Sequence, residues 1–349
     1  MLLVRPVETR DLDQLYALAA LTGVGLTTLP QDRDYLSKRV RNSIRAIENI
    51  PDRPGGESYL FVMEDLSTHT VVGTSGIVSK VGGFEPFYSY RIEQILFHSD
   101  AIGVHKEVPL LKLHEEHDGP AEIGTLFLHP DFRKNGNGRM LQLVRFLFMA
   151  EHPEAFERTV VSELRGVSDD AGRSPFWAAI GRHFFDIDFR RADYLSIVNK
   201  RFIADLMPRH PIYIPLLPTE AQEVIGKPHA SSIPAVRNLQ VEGFAFANEV
   251  DIFDAGPVYS CKRDQIRTIR ESRCASVQEI VEKIESPKFM IATTGRGFRA
   301  VLGSVQISEN GIRVSRESAD AIAVKVGERV RIAELAAASG AVAKGACHE

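Results

Sequence analysis

The run Thr125-Leu-Phe-Leu-His-Pro-Asp-Phe-Arg-Lys-Asn-Gly-Asn-Gly-Arg-Met-Leu-Gln-Leu-Val-Arg-Phe-Leu-Phe148 constrains this chain more than any other. It reads as an apolar strand, a turn, and then Arg133-x-x-Gly136-x-Gly138 opening a long amphipathic helix. Glycine at 136 and 138 lets the backbone approach an anion closely. The N–H groups of the first helical turn, which have no carbonyl one turn back, then face that anion. A pyrophosphate is held this way without charged side chains. The alternative is a plain glycine turn at a strand–helix joint, and the intact strand–glycine–helix order favours the phosphate site.

Context narrows the ligand. A nucleotide P-loop requires Lys-Ser/Thr after its last glycine, where this chain has Arg139-Met140. A dinucleotide fingerprint requires Gly-x-Gly-x-x-Gly, and that glycine order is absent here. Arg-x-x-Gly-x-Gly after a strand ending in Leu-x-Pro-x-Phe instead resembles the acyl-CoA loop of the GNAT acyltransferase superfamily. The resemblance implies that Arg133, Gly136 and Gly138 bind CoA.

The chain has 349 residues, enough for a full core and two domains. Its 42 basic and 46 acidic residues give a net charge of −4, so no strong field draws it to nucleic acid. No apolar run reaches the length of a membrane span, and the N-terminus lacks a signal-peptide layout. Cys261, Cys274 and Cys347 are too few and too irregular for a disulfide framework or a zinc site. A cytoplasmic protein with no prosthetic group and no bound metal is expected. The cluster His114-Glu-Glu-His117-Asp118 lacks the spacing of a zincin helix and reads as a solvated polar turn.

Along the chain, Leu2 to Val7 reads as a strand, and Asp11 as the cap of a helix carrying Leu12, Leu15, Tyr16 and Leu18 on one face. The loop Gly23 to Thr28 breaks it, and a second helix runs from about Arg33 to Asn49. Tyr59 to Glu64 and Val71 to Val78 form a strand pair, with Tyr88 to Phe97 extending the sheet. After the signature helix come a strand over Thr159 to Arg165, a helix opened by Ser174-Pro175, and a proline-rich stretch. A short helix then ends at Gly243-Phe244, and a strand follows over Glu249 to Phe253.

This order predicts an α+β fold with a mixed sheet, GNAT-like, with an insertion over about 168–226 before the last helix. The expected acyltransferase domain covers 1–273. Short alternating segments over 274–335 predict a small β-rich, barrel-like domain, and 336–349 reads as a flexible tail.

In an acyltransferase of the GNAT type the acceptor amine attacks the thioester directly. The protein must take a proton from the amine, hold the tetrahedral oxyanion and protonate the departing thiolate. Backbone N–H groups around Thr125 to Leu128 are expected to face pantetheine and the thioester oxygen. Many members place a Tyr in the last helix, five residues before the Phe of Gly-Phe; counting back from Phe244 reaches Leu239, which has no proton to give. His229, just upstream of that helix, titrates near neutrality and could serve either proton step, or could be a structural loop residue.

Glu163-Leu-Arg-Gly-Val-Ser-Asp-Asp-Ala-Gly-Arg-Ser-Pro-Phe-Trp177, Leu206-Met-Pro-Arg-His-Pro-Ile-Tyr213, Ala221-Gln-Glu-Val-Ile-Gly226, Asp251-Ile-Phe-Asp-Ala-Gly-Pro257 and Thr22-Gly-Val-Gly-Leu-Thr-Thr-Leu-Pro30 carry a second, closer resemblance. Over most of its length the chain is similar to the arginine N-succinyltransferase family. That resemblance implies transfer of a succinyl group from succinyl-CoA, as cosubstrate, to the α-amine of L-arginine in arginine catabolism. It assigns the proton donor to His229 and a succinyl-CoA contact to Leu126. The family often reads Val-His-Pro where this chain has Pro228-His229-Ala230, a change of backbone stiffness that keeps the imidazole.

The succinyl carboxylate calls for a cation and the guanidinium for carboxylates. Arg165 is a candidate for the first, and Glu163, Asp169, Asp251 and Asp254 for the second. The resemblance implies that the acceptor enters at the Gly23 to Thr28 loop, the alternative being a plain interhelix turn. Ornithine or another amino acid is the alternative acceptor. The alternative role is a partner subunit of a heteromeric arginine/ornithine succinyltransferase, and a homo-oligomer or related partner subunit is the expected assembly.

Overall fold

The computed structural model describes residues 1–335 except 23–25, 27, 84, 170, 199–200 and 296. The expected tail, Cys347 and most of the Gly23 to Thr28 loop lie outside the described residues.

The chain opens with β1 (Leu2–Pro6), α1 (Leu12–Ala19) and α2 (Arg33–Glu48), then β2 (Ser58–Asp65), β3 (Thr70–Val78), β4 (Phe87–Ser99), β5 (Val104–Glu116) and β6 (Ala121–Leu128). The signature helix α3 (Asn137–Glu151) leads to β7 (Thr159–Glu163). The expected insertion holds α4 (Pro175–Ala179), α5 (Gly181–Phe185), α6 (Phe189–Val198), α7 (Arg201–Leu206), β8 (Ile212–Tyr213) and α8 (Thr219–Val224). Then come α9 (Ile233–Val241), β9 (Ala245–Val250), β10 (Pro257–Lys262) and α10 (Arg267–Glu271). The β-rich end comprises β11 (Arg273–Val281), β12 (Lys288–Thr293), β13 (Ala300–Ser308), β14 (Gly311–Ser315), α11 (Arg316–Ile322) and β15 (Arg329–Glu334).

Strands follow the order β1-β2-β3-β6-β7-β10-β9-β4-β5-β8 in the central sheet. Every pairing in it is antiparallel except β6 with β7. At the C-terminal end β12, β15, β11, β14 and β13 pair in a ring that closes from β13 back to β12, so the expected barrel is present. Closure removes free edges. The barrel is continuous with the main sheet through Leu3–Val301 and Val4–Ala300. The mixed sheet flanked by helices and the appended barrel match the expected fold class.

Helices α1 and α2 cover one face of the sheet with Leu15, Leu18, Leu36 and Val40 against Leu60, Val62 and Phe127. Helix α3 covers the other face against Tyr59, Phe61, Met63 and Val72. It is not the amphipathic surface helix its position suggested. Met140 through Met149 are all buried, because α9, α10 and the barrel strands close over its outer side. Each large apolar side chain buried this way contributes about 1.5–3 kcal/mol.

Three local expectations are corrected. Asp11 does not cap α1 with its side chain. It is buried and receives Arg5 Nη1 at 2.7 Å and Nη2 at 2.8 Å, while Glu64 takes Arg5 Nε at 2.7 Å. The pair of carboxylates neutralises a guanidinium that burial would otherwise make costly. The strand expected over 249–253 is β9, which ends at Val250; Asp251 to Ala255 instead form a turn. His114 to Glu116 lie in β5 rather than in a turn, with His114 Nε2 3.6 Å from Glu116 Oε2.

Candidate active site

Strands β6 and β7 run parallel, yet they pair only at Ala121–Val160 and Glu122–Val161. Beyond that rung they diverge, and from Ile123 onward β6 pairs only with β3 among the described residues. Ser162 Oγ donates to Ile123 O at 3.3 Å, where the gap begins. A bulge lies at the same level: the register of β3 against β6 shifts between Thr74 and Gly76, and Thr125 takes a φ of 51°. A β-branched residue adopts that conformation at a cost. The bulge re-aims backbone that has no partner on its β7 side, as an oxyanion site requires. Leu126, half-buried against the main core, lies in this stretch.

Arg145 of α3 holds the bulge from one face. Its Nη1 donates to Gly76 O at 3.2 Å and Gly124 O at 3.0 Å, and its Nε to Gln142 O at 2.8 Å. It is fully buried without a carboxylate partner among the described residues, and burial pulls its pKa down to about 9. Carbonyl dipoles replace the missing counter-ion. Sequence reasoning missed this residue; its signal was one charge inside the apolar run Leu143 to Phe148.

The end of β6 leads into the glycine turn. Arg133 Nε donates to Leu128 O at 2.9 Å, and its guanidinium carbon sits 5.6 Å from the centre of the Phe127 ring. Asn137 Nδ2 donates to Phe132 O at 3.0 Å, tightening the turn. Gly136 is the N-cap of α3 with φ 85°, a left-handed conformation that favours glycine. Gly138 differs. A Cβ there would meet its nearest neighbour, Leu128 Cδ2, at an ordinary 3.8 Å. Packing within the chain therefore does not demand glycine at 138, and its bare backbone leaves room above the helix N-terminus. The first-turn N–H of Gly138 faces that room.

The opposite wall is assembled from distant segments. Beyond β7, Leu164 N donates to Pro257 O at 3.1 Å and Gly166 bridges Pro228. His229 N donates to Arg165 O at 2.8 Å, which fixes the histidine on the β7 side of the gap. Asp254, buried, accepts from Gly166 N and Gly256 N, each at 2.8 Å. A Cβ on Gly166 would fall 2.4 Å from Asp254 O, and one on Gly256 2.0 Å from Leu164 O. Only glycine fits where these backbones touch. Asp251 Oδ1 accepts from Phe253 N at 2.7 Å and Asp254 N at 2.8 Å. Burial pushes its carboxyl above the ordinary range, and it is hydrogen-bonded to the Asp254 side chain.

The half-buried ring of His229 has Nδ1 2.7 Å from Ser231 Oγ and 3.2 Å from Ser231 N. A hydroxyl can donate to Nδ1 or accept from it. Ser231 therefore suits both the neutral and the charged ring. Ser231 lies in the turn Ala230–Ser232 that leads into α9, and α9 is tied to the signature helix: Asn238 Nδ2 donates to Gln142 Oε1 at 2.8 Å and Gln142 Nε2 to Ala235 O at 3.0 Å. Leu239 is buried in the core, and the helix ends in paired bonds, Phe244 N to Leu239 O at 3.0 Å and Gly243 N to Gln240 O at 3.1 Å.

The other expected contacts divide. Arg165 Nη2 donates to Ser168 Oγ at 2.9 Å, and Glu163 closes β7. Asp169 is exposed and binds Arg173 through Nε at 2.6 Å and N at 2.8 Å. Asp251 and Asp254 are engaged with backbone N–H groups in the wall itself. A separate cavity of about 430 Å³ opens near the start of β7, lined by Arg91, His114, Glu116, Glu157, Arg158 and Glu249. Its charges are matched locally, Arg91 Nε lying 2.8 Å from Glu249 Oε1, and it is not the gap between β6 and β7.

Comparison with known proteins bears on this geometry. The profile of the arginine N-succinyltransferase beta subunit family matches residues 2–268, and that of its C-terminal domain matches 273–334. The chain is 42% identical over 346 residues to an arginine N-succinyltransferase of Yersinia pestis (strain Pestoides F), covering 96% of this chain and 98% of the relative. It is 41% identical over 341 residues to the protein of that name from Escherichia coli (strain 55989 / EAEC), covering 97% and 98%. The solved structure of arginine/ornithine succinyltransferase subunit AI from Pseudomonas aeruginosa superposes with a TM-score of 0.89 at 35% identity, covering 97% of this chain and 99% of that one. Sequence and fold agree over almost the whole length, and the chain belongs to the arginine N-succinyltransferase family.

Proposed function

We propose that this chain is an acyltransferase that moves the succinyl group of succinyl-CoA to the α-amine of L-arginine, releasing CoA and N-succinylarginine. The observation that carries the reading is the gap between β6 and β7, with the glycine-opened helix at the end of one wall and His229 pinned to the other. The names of relatives alike over nearly the full chain support the acyl group and the acceptor.

The pyrophosphate of CoA rests on the turn of Arg133, Gly136 and Gly138, and pantetheine runs along the unpaired edge of β6 past Leu126. The thioester oxygen meets backbone N–H groups near the bulge. The amine attacks the thioester carbon, the carbonyl electrons move to oxygen, and the amine proton passes to Nε2 of His229. Collapse of the tetrahedral intermediate breaks the carbon–sulfur bond, and Nε2 returns the proton to the thiolate. Nδ1–H donates to Ser231 Oγ throughout, a bond the 2.7 Å separation suits, so that Nε2 offers its lone pair to the amine proton.

Residues 1–273 act in this reading as the catalytic domain and 274–335 as a separate unit bracing α3. Separate family profiles for 2–268 and 273–334 support that division. The reaction takes place in the cytoplasm and needs no prosthetic group. No helix among the described residues is long and apolar enough to cross a membrane. Ornithine is the second acceptor to consider, because the Pseudomonas relative is named for both amino acids.

The test is thiol release from succinyl-CoA by purified protein offered L-arginine, L-ornithine or L-lysine, with His229→Ala as control. Release with arginine that collapses in the variant is expected. Release with ornithine alone would move the acceptor, and no release with any of them would overturn the reading.

A further inference from the structure

The face of the bulge opposite Arg145 carries a second arginine. Arg39 projects from α2, its Nη2 donating to Thr125 Oγ1 and its Nη1 to Thr28 O. Both acceptors are neutral. Its Nε is buried with no acceptor, and no carboxylate pairs with its guanidinium among the described residues. Arg5, Arg267 and Arg331 are paired with Asp11 and Glu64, with Glu242 at 2.8 Å and with Glu151 at 3.1 Å; Arg145, which also lacks a carboxylate, gives Nε and Nη1 to the carbonyls of Gln142, Gly76 and Gly124, whereas the Nε of Arg39 meets no acceptor.

The chain also makes room for this head group. Position 76 is glycine, and a Cβ there would stand 3.2 Å from Arg39 Nη2 and 3.1 Å from Thr125 Oγ1. Thr125, which receives the guanidinium, is the residue with the strained backbone at the bulge. A half-buried charge that keeps no internal counter-ion beside the reacting carbonyl is suited to an anion that arrives with the substrate.

Resting on the acyl-transfer reading above, we propose that Arg39 is the receptor for a substrate carboxylate. Both substrates bring one. Two methylenes separate the succinyl carboxylate from the thioester carbon, about 4 Å away, and the α-carboxylate of arginine is joined to the carbon that bears the attacking amine. A guanidinium at Thr125 lies within reach of either. It would draw carboxylated ligands in preference to uncharged ones and set their distance from the β6 backbone.

The test is a comparison of binding, independent of turnover. Calorimetry without acceptor compares succinyl-CoA with butyryl-CoA, which keeps the chain and loses the carboxylate. With CoA present, it compares L-arginine with agmatine, the decarboxylated acceptor. Wild-type protein is expected to prefer the carboxylated ligand of one pair by about 10- to 100-fold. Arg39→Met erases that preference while affinity for the uncarboxylated ligand stays within about threefold, and Arg39→Lys restores part of it. The pair that loses its preference identifies the carboxylate. A wild-type protein without preference in either pair, a preference that survives Arg39→Met, or an equal loss for all four ligands would overturn the proposal. Absence of thiol release alongside an intact binding preference would instead count against the proposed reaction.

Discussion

On the β6 side of the gap, the wall is one contiguous stretch of chain. Bulge, strand end, Arg133 and the two glycines follow one another from Thr125 to Gly138. On the β7 side, the wall joins Arg165 and Gly166 to Pro228 and His229, and both to the turn of Asp251 to Gly256. The first wall presents backbone and open space; the second is a tightly bonded knot that holds an imidazole. Local sequence suffices to make the surface proposed for a common carrier such as CoA. Placing the imidazole of His229, the proposed proton-transfer group, requires long-range contacts, so the two walls should fail in different ways.

The largest difference is expected from His229→Ala. Loss of the proposed proton carrier should lower kcat by about 10²–10⁴-fold and leave the KM for succinyl-CoA near wild type, as measured by initial-rate kinetics. Next is Asp254→Ala, which strips two charge-assisted bonds from the second wall. It should cost about 2–4 kcal/mol in denaturant unfolding and lower kcat about tenfold as the Gly166–Pro228 bridge loosens. Gly138→Ala probes the first wall. Its new methyl meets only an ordinary contact inside the protein, so stability should change by less than about 1 kcal/mol while the KM for succinyl-CoA rises about tenfold. A large loss of stability there would mean that the glycine serves packing and not the ligand.

The smallest effect concerns pH. Burial raises the Asp251 pKa, so the folded protein holds a proton that the unfolded chain has already released. Stability of the second wall is therefore present at low pH and falls as pH rises through that raised pKa, above the ordinary carboxylate value of about 4. Asp251→Asn keeps an oxygen for Phe253 N and Asp254 N and mimics the protonated form. It should flatten that slope in thermal melts across pH. An unchanged slope would place the proton elsewhere.

What could be read in the sequence follows the same division. The glycine turn, the strand before it and the Gly243–Phe244 helix stop are local devices, and each stands where its residues indicate. The ring of barrel strands was foreshadowed by alternation at Val301 to Val305, Ile312 to Val314 and Val330 to Ile332. Strand β5 left little trace, because its first residues are exposed on both faces and show no alternation. The enclosure of α3 was illegible for a related reason: its outer face is covered by strands more than a hundred residues later in the chain. His229 could be marked as a titratable group near the last helix, but its bond to Arg165 O and the Asp254 staple depend on segments far apart in sequence.

The division of labour between the walls is tested most directly by titrating CoA into His229→Ala and Gly138→Ala, each against wild type, with turnover measured on the same preparations. The account predicts wild-type CoA affinity with kcat lowered about 10²–10⁴-fold in the first, and weakened CoA affinity with kcat retained at saturation in the second. Loss of CoA binding in His229→Ala, or full affinity in Gly138→Ala, would contradict it.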